Sequence, residues 1–76
     1  MTLAQLLDSQ KARIVQVSTH GVHTERLLEL GFTPNTCVQC LRASSAPDGV
    51  CVCLIRGSVF TLSNILANHV LVEQLA

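Results

Sequence analysis

A mainly β fold, a small barrel of five short strands, is what the sequence predicts, and three observations predict it. Short β-branched or apolar runs recur at residues 11–17, 36–42, 50–56, 59–62 and 70–73, each separated from the next by residues that favour turns or caps. One longer amphipathic stretch, residues 22–30, ends on Gly31 and passes straight into a Pro34-Asn35 turn. Phe32 and Phe60 are the only aromatic residues, so the core must be aliphatic, with cysteine as small filler. Short strands in so little chain are best accommodated by a small closed barrel.

Thr2-Leu3-Ala4-Gln5 has the capping-box pattern and starts a short N-terminal helix, with Leu3, Leu6 and Leu7 on one face. Asp8-Ser9-Gln10 breaks it. In the first strand Ile14, Val15 and Val17 do not alternate cleanly, which a bulge or burial on both faces would explain. After a loop at 18–21 comes the helix of residues 22–30. Leu27, Leu28 and Leu30 form its apolar side, and Arg26 and Glu29 stay in water. Gly31 suits the left-handed position that closes a helix, because it has no Cβ to clash there. Pro34 presets φ for the following turn and Asn35 tolerates a positive φ. Residues 43–49 make the longest turn, Gly57-Ser58 a tight one between strands three and four. Ser63 or Asn64 caps a single helical turn at 65–68 before the last strand.

Seventy-six residues make one domain, 1–76, of modest stability. Five basic and five acidic residues cancel, and Arg13, Arg26, Arg42 and Arg56 are scattered along the chain. Without a basic cluster or an aromatic stacking platform, no nucleic-acid binding is expected. No apolar run approaches the roughly 20 residues needed to cross a bilayer. Nothing at the N-terminus reads as a signal peptide, so a cytoplasmic protein with reduced thiols is expected. Hydrophobic residues make up 49% of the chain, which favours a homo-oligomer or docking onto a partner.

Cys37-x-x-Cys40 followed by Cys51-x-Cys53 has the outline of a four-thiolate zinc site. Both pairs fall within strands, where alternation sends Cys37 and Cys40 to opposite faces and keeps Cys51, Cys53 and Ile55 on one. They are read as core thiols, with a three-thiol metal site of Cys40, Cys51 and Cys53 as the alternative. His20, His23 and His69 read as surface imidazoles. The carboxylates are spread over different elements, and no phosphate-binding loop or nucleophile elbow exists. Neither an enzyme nor a bound cofactor is expected.

The passage Arg26-Leu27-Leu28-Glu29-Leu30-Gly31-Phe32-Thr33-Pro34-Asn35-Thr36 resembles the signature of the FeoA family, small proteins that accompany bacterial ferrous iron transport. The Ile55-Arg56-Gly57 hairpin, Thr61-Leu62, Ala67 and the closing Val70-Leu71-Val72-Glu73 are similar to family positions as well. The resemblance implies an SH3-like barrel with the signature helix inserted after strand one. It also places Val38, Cys40, Cys51, Cys53 and Ile55 where relatives carry inward aliphatic residues. Asn35 stands where the family usually has glycine, and the 43–50 loop lacks the usual Gly-Asp-Pro. Ser63-Asn64-Ile65-Leu66 replaces a commonly basic stretch. These departures weaken the case for a partner contact at that loop or after Leu62.

The implied function is protein–protein binding to the cytoplasmic portion of the FeoB permease, which carries a GTP-binding domain, without insertion into the membrane. Arg26, Glu29, Phe32, Pro34 and Arg56 are the expected contact residues, and Gly31, Asn35 and Gly57 structural ones. Phe32 is a core plug by default, with the interface role second to it. Two alternatives remain: a thiol-based zinc or iron carrier, and a self-associating regulatory SH3-like module.

Overall fold

The structure, a computed structural model, describes residues 1–18, 22–46 and 48–75. His20 and most of the expected 18–21 loop, and Pro47 in the longest turn, lie outside the described residues. Five strands form one antiparallel sheet: β1 (Lys11–Val17), β2 (Cys37–Arg42), β3 (Val50–Ile55), β4 (Ser58–Ser63) and β5 (Val70–Gln74). Helix α1 (Val22–Glu29) follows β1, and a single turn, α2 (Asn64–Ala67), separates β4 from β5.

The sheet order is β4-β3-β2-β1-β5, so among the described residues β4 and β5 remain edges and the expected closed barrel is not reached. Helix α2 packs on β3, β4 and the N-terminal turn, and that turn packs on β5. These two non-strand pieces occupy the gap in which β4–β5 hydrogen bonds would otherwise form. The N-terminus also lies along β5, with Thr2 bridged to Leu71 and the Val72 N–H donating to the Met1 carbonyl at 2.8 Å.

The N-terminal helix shrinks to one 3-10 turn, Leu3–Gln5. The Gln5 side chain does reach back, its Oε1 accepting from the Thr2 N–H at 2.7 Å. Leu6 is already extended, so helical periodicity stops there: Leu3 and Leu6 are buried, whereas Leu7 is 65% exposed.

Two bulges explain the broken alternation. Between β1 and β5 the register slips from Ile14↔Val72 to Gln16↔Leu71, leaving Val15 as the extra, exposed residue. Between β2 and β3 it slips from Cys40↔Cys53 to Arg42↔Val52, with Leu41 extra. Elsewhere strict alternation sends Ala12, Ile14, Val38, Cys40, Cys51, Cys53, Ile55 and Leu62 inward, where Leu27 of α1 joins them. Phe32 and Phe60 meet edge to face, ring centroids 5.6 Å apart at 62°. Such a pair adds about 0.5–1.5 kcal/mol beyond its burial.

Candidate functional site

The segment after α1 is built almost wholly from local hydrogen bonds. The Gly31 N–H donates to the Leu28 carbonyl at 3.1 Å and the Phe32 N–H to the Leu27 carbonyl at 3.0 Å. Those two bonds, with Gly31 at φ 106°, make a Schellman closure. Its accompanying apolar contact assigns Phe32 and Leu27 to the core, and both are buried. Phe32, at 0% exposure, is therefore corrected from contact residue to core plug.

Residues 33–36 form the next turn, closed by the Thr36 N–H donating to the Thr33 carbonyl at 3.2 Å. Asn35 has φ 71°, which behind Pro34 matches a type II turn. The Ile14 N–H donates to the Thr36 carbonyl at 2.9 Å and the Asn35 N–H to the Ile14 carbonyl at 2.7 Å, fastening the turn to β1. Pro34 sits exposed at its tip.

Two guanidinium groups hold this turn from either side. Arg13 Nη1 donates to Asn35 Oδ1 at 2.7 Å, while its Nη2 pairs with Glu73. Arg56 Nη2 donates to Thr36 Oγ1 at 3.5 Å, and Thr36 shares a 2.8 Å hydroxyl contact with Thr33. Arg56 and Gly57 are the central residues of the β3–β4 hairpin, with φ 50° and 80°. Positive φ at both positions defines a type I′ turn, which favours Asn-Gly over Arg-Gly. The arginine thus occupies a backbone conformation that its side chain disfavours, and its guanidinium is aimed back at β2.

Of the expected contact residues, Arg26, Glu29, Pro34 and Arg56 are exposed. The structure brings Arg56 to the Pro34 turn through Thr36. Among the described residues no hydrogen bond or ion pair joins the Arg26 or Glu29 side chain to that turn.

The basic residues are less scattered than their sequence positions suggest. Cross-strand register sets Lys11 opposite Gln39, Arg13 opposite Cys37 and Arg42 opposite Val52, all on the outward side of the sheet. Arg56 lines the same side, so four of the five basic residues gather there. Sequence separation hid this; the pairing register reveals it.

Cys40, Cys51 and Cys53 are buried together, and Cys37 is exposed. Burial, reinforced by Cys51 and Cys40, pushes the Cys53 thiol up to about 12. Burial also raises Cys51, with Cys40 adding to it, and raises Cys40, with Asp8 adding to it. All three shifts favour the protonated thiol over the thiolate a metal would require. Among the described residues no cluster of three or more His, Cys, Asp or Glu is placed to hold a metal ion.

Asn64, one of the two cap candidates, has a different role. Ser63 is the N-cap, its Oγ accepting from the Leu66 N–H at 3.2 Å. The buried Asn64 amide instead donates to the Ser44 and Ala46 carbonyls at 3.0 and 2.8 Å, tethering the longest turn to α2. No local pattern could signal a bond made 18 to 20 residues away. A hollow of about 540 Å³ beside that turn, between residues 4–8 and 43–45, has one carboxylate, Asp8. Its Oδ1 already accepts from the Ala43 N–H at 2.7 Å.

The described residues form a five-stranded antiparallel sheet with an inserted helix and an exposed turn fixed by hydrogen bonds on both flanks. The chain belongs to the FeoA family: the FeoA domain pattern matches residues 1–74. It is similar in structure to an iron uptake regulatory protein (FeoA), with a TM-score of 0.88 and 24% identity, covering 99% of this chain and 97% of that one. It is likewise similar to Stenotrophomonas maltophilia FeoA complexed with zinc, with a TM-score of 0.85 and 25% identity over 96% of this chain and 89% of that one. That protein is described as a procaryotic SH3 domain protein and suggested as a bacterial ferrous iron transport activating factor. A manganese-dependent transcriptional repressor shares the fold, at a TM-score of 0.86 and 17% identity, over 99% of this chain and 36% of the repressor. A comparison with curated proteins finds no match. The fold is SH3-like, with its sheet left open between β4 and β5. No helix among the described residues is long and apolar enough to cross a membrane.

Proposed function

We propose that this chain is a cytoplasmic accessory protein of bacterial ferrous iron uptake, acting by binding to the cytoplasmic portion of the FeoB permease. The observation that carries this reading is the FeoA domain match over residues 1–74. The geometry supports binding over catalysis. Its exposed polar groups lie on a turn fixed by hydrogen bonds at both flanks, which suits recognition of a surface. The contact face combines Arg26 and Glu29 of α1 with Pro34 and Arg56. Arginine is the charged residue most enriched at interface centres.

A rigid module shifts a permease between states only through unequal affinity for those states. The GTP-binding domain supplies states that differ in bound nucleotide. The test is calorimetric titration of the chain into the cytoplasmic portion of its own species' FeoB, with and without guanine nucleotide. Saturable binding that changes with nucleotide and weakens at least about fivefold, or roughly 1 kcal/mol, in Arg26→Ala is expected. Absence of heat in every nucleotide state, or an Arg26→Ala variant that binds as the parent does, would remove this face from the account.

A further inference from the structure

A cleft of about 240 Å³ opens on the outward side of the sheet, lined by Lys11, Cys37, Gln39, Leu54, Arg56 and Gly57. Two of these residues are cationic and none is acidic. The one ion pair among the described residues joins Arg13 to Glu73, so neither Lys11 nor Arg56 has a carboxylate partner there. The chain has no net charge, and this cleft concentrates positive charge locally.

Its shape and fixtures narrow the ligand. The volume falls below the roughly 300–1,000 Å³ of pockets that enclose small organic ligands. It accommodates one or two side chains of a peptide lying across the strands. Arg56 is held over the start of β2 by its turn and by its bond to Thr36. Gln39 Nε2 is engaged by the Ser9 carbonyl at 3.2 Å, which orients the amide and leaves its oxygen to accept a peptide N–H. Leu54 gives an apolar floor. Two cations with no carboxylate partner among the described residues, and no aromatic platform, are too few for a nucleic-acid backbone, which is bound by neutralising many phosphates.

We propose that this cleft is a docking site for an acidic peptide segment of a protein partner, whose carboxylate is clamped between Lys11 and Arg56. The inference deepens the permease-binding reading and rests on it for the identity of that partner. The cleft chemistry itself is testable on this chain alone. Arginine matches the fork geometry of a carboxylate, and lysine adds a point charge beside it.

The experiment uses the isolated chain and two blocked peptides, Leu-Glu-Glu-Leu and Leu-Gln-Gln-Leu, followed by amide chemical shifts. Saturable shifts centred on Lys11, Cys37, Gln39 and Gly57 are expected with the acidic peptide. The neutral peptide should bind at least about tenfold more weakly. A Lys11→Gln, Arg56→Asn double variant that keeps its dispersed spectrum should lose the response. Equal binding of the two peptides, shifts centred on α1, no shifts at all, or inorganic phosphate binding as tightly as the peptide would overturn the proposal.

Cys37 supplies an internal check, since it is exposed within the cleft. Its thiolate attacks a disulfide reagent, forms the mixed disulfide and expels the other half as a thiolate. The rate with anionic dithiobis-nitrobenzoate divided by that with neutral dithiodipyridine reads the local field. Changes in thiol ionisation cancel in this ratio. A fall of about tenfold in the double variant is expected, and an unchanged ratio would contradict the clamp. Failure of these tests leaves the FeoB titration to stand or fall separately, and failure of that titration leaves the cleft result intact.

Discussion

Cys37 and Cys40 stand three residues apart on β2, yet one faces solvent beside Lys11 and Arg56, and the other is sealed inside with Cys51 and Cys53. Alternation along one strand is enough to separate them. Among the described residues the buried set is apolar or thiol apart from Thr36 and Asn64, and its contribution is stability. The outward face collects four of the five basic residues and carries the Lys11 and Arg56 cleft proposed here, with Arg26 and Glu29 of α1 as separate contacts. The same backbone thus divides folding from recognition, side chain by side chain, and substitutions on the two faces should have different consequences.

The sharpest contrast comes from Phe32→Ala. Removing a wholly buried ring also ends its edge contact with Phe60 and empties the apolar half of the Schellman closure. A loss of about 3–5 kcal/mol in denaturant unfolding is expected, enough to leave much of so small a domain unfolded. A loss under about 1 kcal/mol would return Phe32 to the surface.

The paired variants Cys53→Ser and Cys37→Ser test the two faces with one chemical change. A hydroxyl buried at position 53 without a partner should cost about 1–3 kcal/mol. The same change at position 37 should stay within about 0.5 kcal/mol. Similar values for both would break the comparison.

Alkaline titration reads the buried thiols, whose ionisation burial pushes up. Well below pH 9.0 the Cys53 thiol is protonated in the folded and unfolded chain alike, so its contribution is complete. Above it the unfolded chain releases protons that folded Cys53 keeps until about 12. Stability therefore falls across that window, by up to about 1.4 kcal/mol per pH unit for each such thiol. Unfolding free energies measured between those limits should show that slope, and it should diminish in Cys53→Ala relative to the parent. A slope that Cys53→Ala leaves unchanged would contradict the buried-thiol account.

Much of this fold was legible because the decisive signals were local. Gly31, Pro34 and Asn35 announce their backbone angles by residue type, and the parity of the four cysteines follows from alternation. The failures share a different cause. Closure between β4 and β5, the gathering of Lys11, Arg13, Arg42 and Arg56, and the Asn64 tether all depend on which distant segments become neighbours. Leu7 was misplaced because a 3-10 turn too short to repeat was read as a helix with a lasting face. Phe32 lay between core and contact in the sequence, and its place in the closure of α1 decided for the core.

The smallest stability effect belongs to Arg56→Asn, and this variant tests the central claim most directly. Asparagine suits the first central position of a type I′ turn, so stability should range from unchanged to about 1 kcal/mol higher. Calorimetric titration of Arg56→Asn and of the parent chain into the cytoplasmic portion of FeoB should then show at least about tenfold weaker binding for the variant, roughly 1.4 kcal/mol. Parent-like binding, or weakened binding that comes with an unfolded variant, would contradict the division of folding and recognition between the two faces of this sheet.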